Sequence, residues 1–269
     1  MEGKKNEMSF LGHLEELRWH LVRSAAAIFI IGILLFVFQK EVFNHFLLAH
    51  RKSDFITYQI FCDFFNLFGM DSTFCNVAFT DNLISLKPTQ QLMTAIWSSL
   101  ILGIILAFPY LLWELWRFIS PGLTKKEIKS SRGFMFIASF LFFCGIAFSF
   151  YVIAPISIHF LYNYKISDVI QNNFTLESHI GLVTNMLLGV SVLFELPVLV
   201  YFLTKIGLVT PEFLKTYRKH ALVLVLILAA IITPPDVASQ IIVAIPILVL
   251  YEISIKVSRM VIKKQKKDA

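Results

Sequence analysis

The sequence predicts an all-α integral membrane protein with six transmembrane helices, the last two short, and with both termini on the cytoplasmic side. Three observations lead there. Hydrophobic residues make up 57% of the 269 positions and mean hydropathy is +0.72, more apolar surface than a single soluble core can hide. The apolar residues come in long runs without period-2 alternation, which excludes an outer-membrane barrel and leaves a helical bundle to satisfy the backbone. Finally, 19 of the 24 lysines and arginines fall in one set of loops and only Lys40, Arg51, Lys52, Lys87 and Lys165 in the other. By the positive-inside rule the richer set is cytoplasmic. The net charge of +6 therefore belongs to membrane topology, and no nucleic-acid partner is expected.

The candidate spans are 22–38, 92–112, 133–153, 179–203, 221–232 and 241–255. The last two fall below the ~20 residues of a full span, with Thr233-Pro234-Pro235-Asp236 as the reversal between them. Three regions follow: a cytoplasmic amphipathic segment 1–21, a single membrane domain 22–256 and a basic cytoplasmic tail 257–269. No cleavable signal is expected, because the first apolar run lacks a small-residue cleavage site. In the first region Phe10, Leu14, Leu17 and Leu21 recur at helical spacing, with Glu16, Trp19 and His20 on the other side. This pattern suits a helix lying on the membrane surface, started by a Ser9 cap.

Polar groups at informative places come next. Glu195 stands inside an apolar run, where a charged side chain costs about 2.5–3.5 kcal/mol on insertion scales. Pro197 frees a backbone carbonyl one turn earlier, and Phe194 and Leu196 offer no counter-charge. Glu195 is thus either a functional group that meets a partner from another helix, or a protonated carboxyl bonded within its own bundle. Thr124-Lys125-Lys126-Glu127 fits a capping box at the start of the third span. Glu127 also leaves an acid on a basic face beside Trp113, Trp116 and Phe118, a setting that suits a cationic peptide followed by an apolar one. Asp236 is placed to cap the sixth helix.

Enzyme chemistry has little to stand on. The seven histidines are scattered, and no HExxH, GxSxG, phosphate loop or CxxC occurs. No enzyme activity, cofactor or metal is expected. The tail lysines, from Lys263 to Lys267, favour anionic lipids. Cys62 and Cys75 share the long translocated loop, an oxidising setting in a bacterial inner membrane, and a disulfide is expected between them; the alternative is two thiols buried among neighbouring phenylalanines. Cys144 is alone in the third span.

Four ordered segments together resemble the TatC family, the signal-peptide receptors of the twin-arginine translocase. They are His13-Leu14-Glu15-Glu16-Leu17-Arg18, Phe118-Ile119-Ser120-Pro121-Gly122-Leu123 with Glu127, Phe194-Glu195-Leu196-Pro197, and the stretch from Thr233 to Gln240. The resemblance implies a multi-pass protein of the bacterial inner membrane that exports folded proteins using the protonmotive force. It implies that Glu16 and Glu127 receive the signal peptide's arginine pair, with Arg18 and Phe118 shaping that surface. Two carboxylates can each take a guanidinium fork bidentately, which a lysine ammonium cannot reproduce. It further implies that Glu195 meets a polar group in the single helix of a TatA or TatB partner, that Asp236 and Gln240 mark further partner contacts, and that the chain works as a homo-oligomer within the complex. Where the family commonly carries a second basic residue, this chain has His20, a member of the expected signal-peptide site whose charge can vary with pH. The outer loop 39–89 is longer than the family pattern and, Pro88 apart, lacks the prolines often found there.

The competing function is a proton- or ion-coupled secondary transporter that uses Glu195 as its ion site. Against it stand the lack of an inverted repeat and of any second buried acid apart from Glu252. An intramembrane hydrolase lacks a nucleophile and base.

Overall fold

The computed structural model describes residues 10–67, 75, 82–120, 125–167, 169, 172–233 and 237–268. The chain begins with α1 (Phe10–Val37), followed by α2 (Gln39–Val42), a π-helical turn Phe43–Leu47, a short 3-10 turn Ala49–Arg51 and α3 (Ile56–Leu67). Then come α4 (Gln90–Ile119) and α5 (Lys125–Phe148), the latter running through a π-helical turn Ser149–Ile153 into α6 (Ala154–Asn163). After these are α7 (Leu176–Phe194), α8 (Leu196–Lys205), α9 (Pro211–Thr216), α10 (Arg218–Ile232) and α11 (Val237–Asp268). Extended pairing among the described residues is confined to one isolated parallel bridge, Ile84 with Thr175.

Five of these units are long and apolar enough to cross a bilayer. The sixth is α10, whose 15 residues rise only about 22 Å at 1.5 Å each, short of the ~30 Å hydrocarbon core. The sixth apolar run is also short in sequence, but the helix that carries it, α11, has 32 residues and continues through the basic tail to Asp268. The turn at Thr233 is anchored by its N–H and hydroxyl, both donating to the Ala229 carbonyl at 2.8 Å. Pro234 to Asp236, and so the expected cap at Asp236, lie outside the described residues, as do Ser9 and Thr124.

The N-terminal segment departs from expectation. It does not form a separate surface helix; α1 runs unbroken from Phe10 to Val37. Leu14 and Leu21 are exposed, as suits an apolar face turned to lipid, while on the other side His20 is buried against Glu114 of α4 and Trp19 stays exposed.

Helix α7 is the centre of the bundle, packed by α4, α5, α10 and α11. Its Ile180, Val183, Met186, Leu187 and Val190 are buried in one cluster with Phe142 of α5, Ala229 of α10 and Val243 and Ile247 of α11. Hydroxyl pairs between helices supplement the packing where apolar contact gives no advantage over lipid. Ser157 of α6 meets Ser239 of α11 at 2.6 Å, and the Thr204 hydroxyl donates to Ser258 Oγ at 2.9 Å. The Tyr251 hydroxyl donates to the Leu214 carbonyl at 2.7 Å, fixing α9 against α11.

The loop after α1 folds back as a cap on the end of the bundle where α1 finishes. Pro155 has no N–H to offer the carbonyl four residues before it, and Thr57 of α3 supplies the missing donor to Tyr151. Beside it, His50 Nε2 donates to the Phe150 carbonyl at 2.8 Å, and the Tyr58 hydroxyl donates to the His50 carbonyl at 2.9 Å. His50 is fully buried, and its burial lowers its pKa to about 4, against smaller upward pulls from the Phe150 and Leu47 carbonyls. The Cys62 and Cys75 sulfurs lie at bonding distance, with Cα atoms 4.8 Å apart.

Candidate functional sites at the cytoplasmic face and in the fourth span

Helices α1 and α4 are antiparallel neighbours, and one end of this pair gathers most of the residues expected at the cytoplasmic face. The close approach is possible because α4 has no side chain at Gly103. A Cβ there would come within 3.0 Å of the Ile28 carbonyl oxygen and 3.1 Å of the Gly32 nitrogen. Towards the start of α1 and the end of α4 the pair is joined by polar contacts. His20 Nδ1 donates to Glu114 Oε2, and the Tyr110 hydroxyl donates to Glu114 Oε1 at 2.8 Å. Arg117 Nη1 lies 3.6 Å from Oε1 of the same carboxylate and Arg23 Nη1 lies 3.9 Å from Oε2.

Glu114 is 1% exposed. A buried carboxylate requires compensation from cations and donors, and this one has two guanidinium groups, an imidazole and a phenol around it. The sequence reading missed it. Glu114 sits in Trp113-Glu114-Leu115-Trp116-Arg117, which reads as the wet aromatic end of a span. The available signal was the spacing of Tyr110, Glu114 and Arg117, which places all three on one helical face. Glu252, the acid expected to be buried, is half-exposed and accepts from Arg218 Nη2 at 2.7 Å. That expectation is corrected: the second buried acid is Glu114, because Arg218 at the start of α10 holds Glu252 at the surface.

Glu16 lies one turn before His20, half-buried, and its Oε2 atom is shielded from solvent with no hydrogen-bond partner among the described residues. Arg18 points away and pairs with Glu15 at 3.2 Å, with both side chains about two-thirds exposed. Phe118 meets the His20 ring edge-on, at 6.0 Å between centroids. The Arg117 guanidinium lies over Trp113, 4.9 Å from the ring centroid. Glu16, His20 and Phe118 are thus brought to one end of the α1–α4 pair. Glu127 belongs to the first turn of α5, but its side chain, and with it the capping box, lies outside the described residues.

The second candidate is Glu195, where the fourth span breaks. Its backbone, at φ −76° and ψ 0°, ends α7 and starts α8, with Pro197 in the new first turn. The Glu195 carbonyl accepts from the Val198 and Leu199 N–H groups at 2.9 Å each. Both carboxylate oxygens are shielded and lack a hydrogen-bond partner among the described residues. Helix α5 approaches just before the break: a Cβ on Gly145 would come within 2.6 Å of the Ser191 Cα and 3.0 Å of Phe194. Gln240 is not part of this arrangement. It sits in the first turn of α11, where its amide donates to the Leu226 carbonyl of α10 at 3.0 Å.

Among the described residues no group of three or more histidine, cysteine or acidic side chains is arranged to hold a metal.

A sequence model of the family described as Sec-independent protein translocase protein (TatC) matches residues 12–246. The chain is 40% identical over 268 residues to the Sec-independent protein translocase protein TatC of Blattabacterium sp. subsp. Periplaneta americana, covering 98% of this chain and 100% of that one. It is 38% identical over 249 residues to the corresponding protein of Helicobacter pylori strain J99, covering 93% and 88%. Two crystal structures titled twin arginine translocase receptor TatC share the fold. One has a TM-score of 0.67 at 30% identity, covering 93% of this chain and 99% of that one. The other, in DDM, has a TM-score of 0.69 at 31% identity, covering 90% and 97%. Motifs, six-helix architecture and these matches agree: the chain belongs to the TatC family of Sec-independent protein translocase proteins.

Proposed function

We propose that this chain is the receptor for twin-arginine signal peptides in a translocase that exports folded proteins across the bacterial inner membrane, driven by the protonmotive force. It is a multi-pass membrane component of the Sec-independent translocase. The observation that carries the site assignment is the Glu16 carboxylate at the end of the α1–α4 pair, with one oxygen shielded and unpartnered among the described residues. An acid held in that state gains strongly from a bidentate guanidinium. Glu16 and Glu127 each take one arginine of the motif, Phe118 and Arg18 flank them, and His20 acts from beneath, since it is buried against Glu114.

Glu195 takes a second role. Its carboxyl, without a hydrogen-bond partner among the described residues, offers a hydrogen bond to a polar side chain on the single helix of a TatA or TatB subunit, with Asp236 and Gln240 contributing to partner contacts. The assembly holds several copies of this chain, and the basic end of α11 rests on anionic lipid headgroups.

Photo-crosslinkers placed at Glu16 and Glu127, presented with a twin-arginine precursor, test the receptor role. Crosslinks that vanish when the signal's arginines become lysines support it. Absence of crosslinks, together with proton or solute flux that depends on Glu195, would replace it with the ion-coupled carrier.

A further inference from the structure

Basic and imidazole side chains of α1 and α4 gather one turn and more from Glu16, yet its shielded oxygen has no partner among the described residues. His20 is four residues on, the spacing at which a carboxylate and an imidazole on one helix meet. Arg18 and Arg23 follow on the same helix, and Arg117 approaches from α4. Each is engaged elsewhere. Arg18 is bonded to Glu15. His20 is bonded to Glu114, and Arg23 and Arg117 are within 4 Å of the same carboxylate. Glu114 is fixed in turn by the Tyr110 hydroxyl at 2.8 Å.

From this arrangement we infer that Glu114 is a positioning residue that holds the receptor's own donors, above all His20, and so keeps the Glu16 carboxylate available to the signal peptide. The inference rests on the assignment of Glu16 to the signal-peptide site. Glu114 is too deeply buried to meet a peptide itself, at 1% exposure, so its effect passes through Glu16. Without Glu114, the His20 ring has its i−4 carboxylate as the nearest acid on its own helix, and an incoming arginine must displace it. Competition of this kind is worth what a partly exposed ion pair is worth, about two- to fivefold in affinity.

The test measures binding of a fluorescent twin-arginine signal peptide to the full chain in lipid nanodiscs. Glu114→Ala is expected to weaken binding about two- to fivefold, and Glu114→Ala with His20→Leu is expected to bind more tightly than Glu114→Ala alone. Glu114→Gln keeps the side chain's size and its contact with Tyr110, should the alanine variant fail to fold. It removes the charge and is expected to show the same weakening and the same rescue. A residue needed only for packing predicts no rescue, because a second core change adds damage. Unchanged binding in both Glu114 variants, or weakening that His20→Leu leaves in place, overturns the inference. Glu16→Ala separates the two levels of the argument. If that variant binds as tightly as the parent chain, the receptor assignment of Glu16 has failed and the sequestration idea falls with it; if it binds weakly while Glu114 variants bind normally, only the sequestration idea has failed.

Discussion

At the residue scale the end of the α1–α4 pair depends on where three acids sit. Glu15 is exposed and paired with Arg18, Glu114 is buried among His20, Arg23 and Arg117, and Glu16 is half-buried with an oxygen that has no partner among the described residues. Reversing the charge of the acids proposed to receive the signal therefore has a defined outcome. Glu16→Lys or Glu127→Lys, and more strongly the two together, should abolish capture of a twin-arginine precursor while membrane insertion is retained; co-purification of tagged precursor measures it. Glu127→Gln keeps a hydrogen-bonding side chain at the start of α5 and isolates the charge. A second residue-scale consequence lies in the outer cap. His50 is fully buried, with its pKa lowered to about 4 by loss of hydration, so the folded state holds it neutral. The unfolded chain takes up a proton below the ordinary value of about 6.5. The contribution to stability is thus complete above that value and lost progressively as pH falls from there toward 4, reaching about 2 kcal/mol of loss by pH 5. Thermal unfolding of the purified protein at pH 7 and pH 5 should show this drop, and His50→Gln should reduce it.

At the scale of elements, the fourth span is the informative one. The sequence marked Glu195 and the carbonyl freed by Pro197 but read 179–203 as one continuous span; the structure ends α7 at Phe194 and makes Glu195 the joint with α8. Replacing Glu195 by alanine should leave signal-peptide binding intact but stop export and reduce recovery of the TatA or TatB subunit, since that subunit's polar group then has no mate in hydrocarbon. Binding and transport measured side by side on the same membranes decide it. The first span was less legible. The helical spacing in residues 10–21 gave the period correctly but not the continuity of α1 into the span or the burial of His20, because hydropathy cannot tell a polar position facing water from one facing another helix. Glu114 escaped for the same reason. Its burial is a property of the α1–α4 pair, made possible by a glycine contact three turns away, and nothing within α4 alone distinguishes it from an interfacial acid. The outer cap was not legible at all: that Thr57 would serve the carbonyl left open by Pro155 requires knowing that α3 folds back across the end of the third span.

For the whole molecule, the lysine and arginine count and the apolar runs were enough to give the number of spans and the class of fold, since both are set by the bilayer and not by packing detail. The outer loop was a place where the count gave location but not form. The two cysteines sit 13 residues apart, and cross-linking a loop of that size contributes about 3 kcal/mol on chain-entropy estimates. Mass analysis of peptides from non-reduced, alkylated membranes should find Cys62 joined to Cys75, and Cys62→Ser with Cys75→Ser should lower the melting temperature of the detergent-purified chain. Full alkylation of both thiols in unfolded, unreduced protein would exclude the bridge.

The glycine contact between the first two spans makes α1 a lever. Little of α1 is buried apart from its contact with α4, and the tightest point of that contact, at Gly32 and Gly103, lies 16 residues along the helix from Glu16, about 24 Å at 1.5 Å per residue. A tilt of only about 5° around this fulcrum swings the carboxylate through roughly 2 Å, the difference between a bidentate grip and none. On the proposed function, force applied to the far, lipid-facing half of α1 would thereby reach Glu16 through this contact, a route to releasing a bound signal that touches none of its arginines.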